Sequence, residues 1–222
     1  MQLLTLAQLR AIEEQALIRD EDLVALAGSA SASWLANNCD KQSRILVVVG
    51  RGNNGADGIS CAIELIKLGY KVDLVRLFKD STEVNQKWLS QFTESKRALI
   101  RLPADMSKYN VIVDAIYGIG LTHEIDVETA GIVQKLNNHN GFMVSLDSPS
   151  GLNPFSGRVL GDAIYADATL TFISDKPGLH TGDGLDFSGD IHVIDLVKLT
   201  DYSVPSSMNV IKFNQMSDVN YD

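Results

Sequence analysis

The run Gly50-Arg51-Gly52-Asn53-Asn54-Gly55-Ala56-Asp57-Gly58 constrains this chain more than any other stretch, because of what flanks it. Residues 45–49, Ile-Leu-Val-Val-Val, precede it and read as a short buried strand. After it, Ile59, Ala62, Ile63, Leu65 and Ile66 form a helical stripe that stops at Gly69. A strand, a glycine turn and a helix N-terminus make the unit with which parallel α/β sheets hold nucleotides. A bare glycine pattern says little; one in this setting, carrying two asparagines and an aspartate, says more.

The rest of the chain repeats the alternation. Apolar runs recur at 72–78, 111–113, 142–146, 168–173 and 191–194, with helical patterns at 58–68, 82–93 and 127–136 between the earlier ones. Such alternation builds βαβ units with right-handed crossovers and a sheet covered on both faces. Gly178, Gly182, Gly184 and Gly189 crowd the space before the last run, which suggests a hairpin-like edge. Two helices precede the sheet. The first is capped by Thr5, with Gln8 completing a capping box. The second, over about 21–36, carries the small residues Ala27, Gly28, Ser29 and Ala30 for close packing. The expected fold is a Rossmann-like three-layer αβα domain, 1–222, with a mostly parallel central sheet preceded by two N-terminal helices.

A net charge of −9 argues against a nucleic-acid surface, which needs a basic stripe to release counterions. The two cysteines, Cys39 and Cys61, do not make a disulfide framework; Cys61 reads as a core thiol. No apolar span of membrane length and no signal-peptide pattern occurs, so a cytoplasmic location without a membrane partner is expected.

Ligands of doubly wound sheets sit beyond the carboxyl ends of the strands. There the first strand delivers Asn53, Asn54 and Asp57. The third ends in Asp114, followed by the turn Gly118-Ile119-Gly120-Leu121-Thr122. The fourth ends in Asp147-Ser148-Pro149-Ser150-Gly151. Carboxylates at the ends of apolar strands need donors or a cation. Three of them would repel a pyrophosphate unless a cation screened them, so a hard cation held by Asn54, Asp114 and Ser150 is expected. For Asp57 taken alone, a helix cap is the simpler account. His123 after the second turn reads equally as a ligand contact or an exposed loop residue; His139, His180 and His192 show no metal spacing. Walker and nucleophile-elbow patterns are missing, and no clear ribose-binding acid closes the second strand.

These motifs resemble one family, the NAD(P)H-hydrate epimerases of the YjeF N-terminal type. The resemblance rests on the glycine–asparagine run, on Val113-Asp114-Ala115-Ile116-Tyr117-Gly118-Ile119-Gly120-Leu121 and on Leu146-Asp147-Ser148-Pro149-Ser150-Gly151-Leu152. Ala166-Asp167-Ala168-Thr169-Leu170-Thr171-Phe172 with Lys176-Pro177-Gly178-Leu179 adds a late segment. It implies a Rossmann-like, homodimeric enzyme that turns the R form of hydrated NADH or NADPH into the S form. An ADP- or ATP-dependent dehydratase, fused or separate, then restores the nucleotide. It also implies substrate contacts from Asn53, Asn54, Gly55, Ala56 and Asp57, from Gly118, Ile119, Gly120, Leu121, Thr122, His123 and Glu124, and from Asp147. K+ is implied on Asn54, Asp114 and Ser150. Two departures stand out: Ala56 replaces a usual glycine, and Val24-Ala25 replaces a Met-Glu pair. The substrate carbon is a hemiaminal, so inversion needs hydroxyl loss and water return; Asp147 is the expected acid and base, its pKa raised by neighbouring carboxylates. The rivals are a non-catalytic nucleotide-binding or scaffold module and, third, an ordinary NAD-dependent oxidoreductase.

Overall fold

The computed structural model describes residues 2–94, 98–202 and 208–209. Its centre is a seven-stranded sheet built from β2 (Arg44–Val49), β3 (Lys71–Arg76), β4 (Leu99–Ile100), β5 (Val111–Ala115), β6 (Phe142–Leu146), β7 (Ala168–Phe172) and β8 (Asp190–Ile194). The order is β4-β3-β2-β5-β6-β7-β8 and every pairing is parallel. The chain leaves β2 towards β3 on one side and returns to β5 on the other. That reversal opens a crevice beyond the carboxyl ends of β2 and β5.

Burial on both faces follows from the strand sequences. Ile45, Val47 and Val49 of β2 join the core beneath α1 (Leu6–Ile18), α2 (Leu23–Asn38), α3 (Asn53–Lys67) and α4 (Glu83–Glu94). Leu46 and Val48 point the other way, into a second core with Val133 and Leu136 of α5 (Val127–Asn137). This is the three-layer arrangement expected from the alternation. The Thr5–Gln8 capping box is present, and Asp22 caps α2 through the Ala25 N–H. A Cβ on Gly28 would lie 2.1 Å from Ser60 Oγ, so the small-residue face of α2 is there to let it touch α3.

Four features depart from expectation. The last strand pair is parallel, Ala168 opposite Asp190 through Phe172 opposite Ile194. The glycine-rich connection makes a crossover through a 3-10 turn, Pro177–His180, and a one-turn helix α6 (Gly184–Phe187), rather than a hairpin. The sheet is therefore wholly parallel. Helix α3 begins at Asn53, five residues before the apolar stripe suggests. The short edge strand β4 and a two-residue antiparallel pair, β1 (Gln2–Leu3) with β9 (Met208–Asn209), were not readable from periodicity. The apolar stretch 210–213 lies outside the described residues.

Candidate functional site

A cavity of about 1040 Å³ opens at the switch point. Its walls include Asn53, Asn54 and Asp57 from α3, Gly118, Ile119, Gly120, Leu121 and His123 from the loop after β5, and Asp147 from the end of β6. Of the residues expected at the substrate, Gly55 and Ala56 lie buried behind this wall, and Thr122 and Glu124 are exposed outside it.

Helix α3 meets the cavity with its N-terminus. Gly52 is the cap and supplies no side-chain acceptor, so the first N–H groups of the helix are open to an anion. Asp57 lies past the first turn and does not cap, which corrects the simpler reading of that residue. Glycine at 55 and 58 serves close packing: a Cβ on Gly55 would meet Gly50 O at 2.2 Å, and one on Gly58 would meet Ala115 Cβ at 2.5 Å. Ala56 is a buried helical residue outside the left-handed region, so its replacement of a glycine costs nothing in backbone strain. Asn85, not singled out from sequence, ties the loop down from α4; its Nδ2 donates to Gly50 O at 3.0 Å and Gly52 O at 3.1 Å.

Beneath the floor, fully buried Asp114 joins two loops. Its Oδ1 accepts from Ser150 Oγ at 2.6 Å and Ile116 N–H at 3.2 Å. Its Oδ2 accepts from Ser145 Oγ at 2.8 Å and Ser150 N–H at 2.8 Å. Ser150 Oγ also takes the Tyr117 N–H at 2.8 Å. Two of the three expected cation ligands are thus in direct contact. The third, Asn54, stands beside Gly118, whose Cβ would sit 3.2 Å from Asn54 Cγ and 2.7 Å from Asp147 Oδ2. Both polar atoms of the Asn54 amide are buried without a protein partner. A buried orphan of this kind costs about 1–3 kcal/mol, so the site is shaped for a partner that the chain does not itself supply.

Asp147 has a left-handed backbone, φ 65°. Such strain in a non-glycine residue costs about 1–3 kcal/mol and persists only where the surroundings impose it. Here the Asp147 N–H bonds Leu170 O at 2.7 Å, and the Ile119 N–H donates to Oδ2 at 3.0 Å. Oδ1 is paired at 2.9 Å with Lys176 Nζ. The expectation from sequence set Asp147 among carboxylates; its closest charge is instead an ammonium. Lys176 was read only as part of a family motif. A fully buried lysine runs against composition rules, so nothing in the pattern marked it. Glu13 is a further wall residue absent from the sequence expectation, which treats α1 only through its Thr5–Gln8 cap; the helix also lines the cavity.

The acids around the cavity influence one another. Burial pushes the Asp57 carboxyl well above the usual range, and the charges of Asp147 and Glu13 add to it. Glu13 is raised by burial and by Asp147. Asp114 is raised by burial, against the pull of its hydrogen bonds. In all three the folded pKa exceeds the unfolded one. Their contribution to stability is therefore complete below the unfolded value and is lost as pH rises through the folded value. Asp73, Asp80, Asp105 and Asp126, whose pKa values are lowered, stay ionised well above pH 4 and do not oppose this trend. The ligand-free protein should melt at a higher temperature near pH 5 than near pH 7, and Asp57→Asn should shrink the difference. A melting point that falls on going from pH 7 to 5 would contradict the electrostatics of this site. Cys61 is an inert core thiol as expected, its pKa raised by burial.

The family model for the N-terminus of YjeF-related proteins matches residues 20–178. Among curated proteins, an NAD(P)H-hydrate epimerase of Weissella koreensis is 35% identical over 69% of this chain and 71% of its own length. One of Levilactobacillus brevis is 33% identical over 78% of this chain and 82% of itself. A bifunctional NAD(P)H-hydrate repair enzyme of Dictyoglomus turgidum is 29% identical, with 79% of this chain matching 36% of that protein. Among solved structures, yeast ynu0 superposes with a TM-score of 0.73 at 20% identity, covering 88% of each chain, a likeness of fold.

Proposed function

The chain belongs to the family of YjeF-related N-terminal domains, and from that membership we propose that it epimerises the R form of hydrated NADH or NADPH to the S form. The observation that carries the reading is Asp147, strained and aimed by the Ile119 N–H and Lys176 into a cavity beside the α3 N-terminus. At about 1040 Å³ the cavity lies at the top of the usual range for small-molecule sites, a size suited to a dinucleotide. Its open helix N-terminus and Arg51 suit a pyrophosphate. Trp88 also lines the wall, and its indole N–H is buried without a protein partner.

The substrate carbon bears a hydroxyl and a ring nitrogen. Asp147 protonates the departing hydroxyl, the nitrogen lone pair closes an iminium, and water adds to the other face. Asp57 and Glu13 line the same cavity, and to the extent that they ionise there they favour the cation that forms. The oxygen ligands Asn54, Asp114 and Ser150 suit K+, and the orphaned Asn54 amide is the observation that favours it. Bound there, the ion would supply fixed positive charge for substrate phosphates. The reading extends to a homodimer and to an ADP- or ATP-dependent dehydratase that consumes the S form. Among the described residues no helix is long and apolar enough to cross a membrane. A cytoplasmic site of action is part of the proposal.

The test mixes R- and S-NADHX with an independent S-specific dehydratase in excess and follows the return of NADH absorbance. Addition of this protein should accelerate the slow phase, in which the R form is consumed. If that phase keeps its spontaneous rate with folded protein and K+ present, the chain is a nucleotide-binding or scaffold module.

A further inference from the structure

Two neighbouring strands end in the same unusual way. β6 leads into Asp147 at φ 65° and β7 into Ile173 at φ 67°, both left-handed and neither glycine. Ile173 is β-branched, for which this conformation is a genuine outlier. The bend at Ile173 lets Lys176 fold back over its own strand end. Its Nζ donates to Thr171 Oγ1 at 2.5 Å, Phe172 O at 3.2 Å and Ser174 O at 3.3 Å, and pairs with Asp147 Oδ1 at 2.9 Å. The lysine side chain is 1% exposed, yet it borders the cavity. A buried ammonium with one carboxylate and three neutral oxygens around it is held in a single place. A lysine needed only to neutralise Asp147 could have stayed in solvent on its flexible stem.

Resting on the epimerase reading, we propose that Lys176 is the positioning residue of this site, acting through Asp147 as the store for the proton that Asp147 delivers. The proton passes from Nζ to Asp147 Oδ1 and on to the substrate hydroxyl. The C–O bond breaks with its electron pair on oxygen, water departs, and the ring nitrogen lone pair forms the C=N+ bond. Lys176 becomes a neutral amine as the ring becomes a cation, so the charge inside the cavity is unchanged across the step. Water then adds to the opposite face, and its surplus proton returns through cavity water to the Asp147–Lys176 pair. This accounts for an ion pair where a solitary raised carboxyl would otherwise serve as the acid. It also keeps Asp147 aimed between turnovers.

The test compares wild type, Lys176→Met and Lys176→Arg in the coupled assay, with NADPH affinity and folding measured alongside. Arginine keeps the positive charge but does not give up a proton. Both variants should lose about 100-fold or more in kcat, the usual scale of acid–base catalysis, with NADPH affinity changed less than about threefold. In Lys176→Met the basic limb of the kcat–pH profile should move to lower pH, because Asp147 alone then has to retain the proton. A folded Lys176→Arg with wild-type kcat, or an unmoved basic limb in Lys176→Met, overturns the proposal. Should Lys176→Met not fold, kcat and affinity of Lys176→Arg decide; should neither fold, a solvent-exchange measurement by NMR on wild type decides. A Lys176 ammonium whose protons exchange no more slowly than those of surface lysines contradicts the held, buried donor. Inert wild type refutes the epimerase reading itself and is distinguishable from every outcome above.

Discussion

Asp147→Asn should lower turnover of R-NADHX by about 10²–10⁴-fold, the range of a lost general acid, while NADPH affinity changes less than about threefold. Asparagine is the informative replacement because it is nearly isosteric and tolerates the left-handed backbone that Asp147 occupies at φ 65°. An amide oxygen can still accept the Ile119 N–H, so the turn 118–121 keeps its anchor. What disappears is the titrating oxygen and the negative charge facing Lys176. Removing one partner of a buried pair costs about 3–5 kcal/mol. The asparagine NH₂ then faces the ammonium, donor against donor, which the three neutral oxygen acceptors within reach of Lys176 Nζ offset only in part. The melting temperature should therefore fall while the protein remains folded at room temperature, which circular dichroism would check. Wild-type turnover in this variant removes Asp147 from the chemistry; loss of turnover together with loss of NADPH binding makes it a binding residue.

The sheet could be read from sequence because a parallel strand buried on both faces is written as a near-continuous apolar run; 45–49 is such a run, and 142–146 is one broken only by Ser145. The parallel β8 was misread because glycines that usually announce a hairpin serve a tight crossover here. Gly189 has φ 57°, and a Cβ on Gly184 would lie 1.8 Å from Gly178 O. The start of α3 was misplaced for a related reason. Asn53, Asn54 and Gly55 are weak helix formers, and tertiary packing against Gly50 and Asn85 outweighs their preference. The strand-end acids were legible because carboxylates after apolar runs are conspicuous. Lys176 and Glu13 were not, since an amphipathic side chain buried from a distant segment leaves no periodic trace. Lys176 reaches Asp147 only because β7 pairs with β6, Leu146 opposite Leu170, and because Ile173 then reverses the chain. That is information held by topology, not by local pattern.

Asp114→Asn should destabilise the protein by about 3 kcal/mol, through a conflict that no amide orientation can relieve. Each carboxylate oxygen receives one hydroxyl and one backbone N–H: Ser150 Oγ with Ile116 N–H on Oδ1, Ser145 Oγ with Ser150 N–H on Oδ2. The hydroxyls can rotate and accept from an NH₂ group. The backbone donors cannot, so either way round the asparagine leaves a buried N–H facing another donor. The damage spreads to the cavity because Ile116 precedes the turn that carries Gly118 and Ile119, and Ser150 holds the Tyr117 N–H. Wild type should gain melting temperature as K+ replaces a large organic cation at constant ionic strength, since a ligand that binds only the folded state stabilises it. In Asp114→Asn both the starting stability and that K+ increment should fall, read from denaturant midpoints and melting curves. The two parts separate the roles: a variant that loses stability but keeps the full K+ increment leaves Asp114 as a latch between two loops and moves the cation elsewhere. One that loses neither removes it from both, and the orphaned amide of Asn54 would then need a partner from the substrate alone.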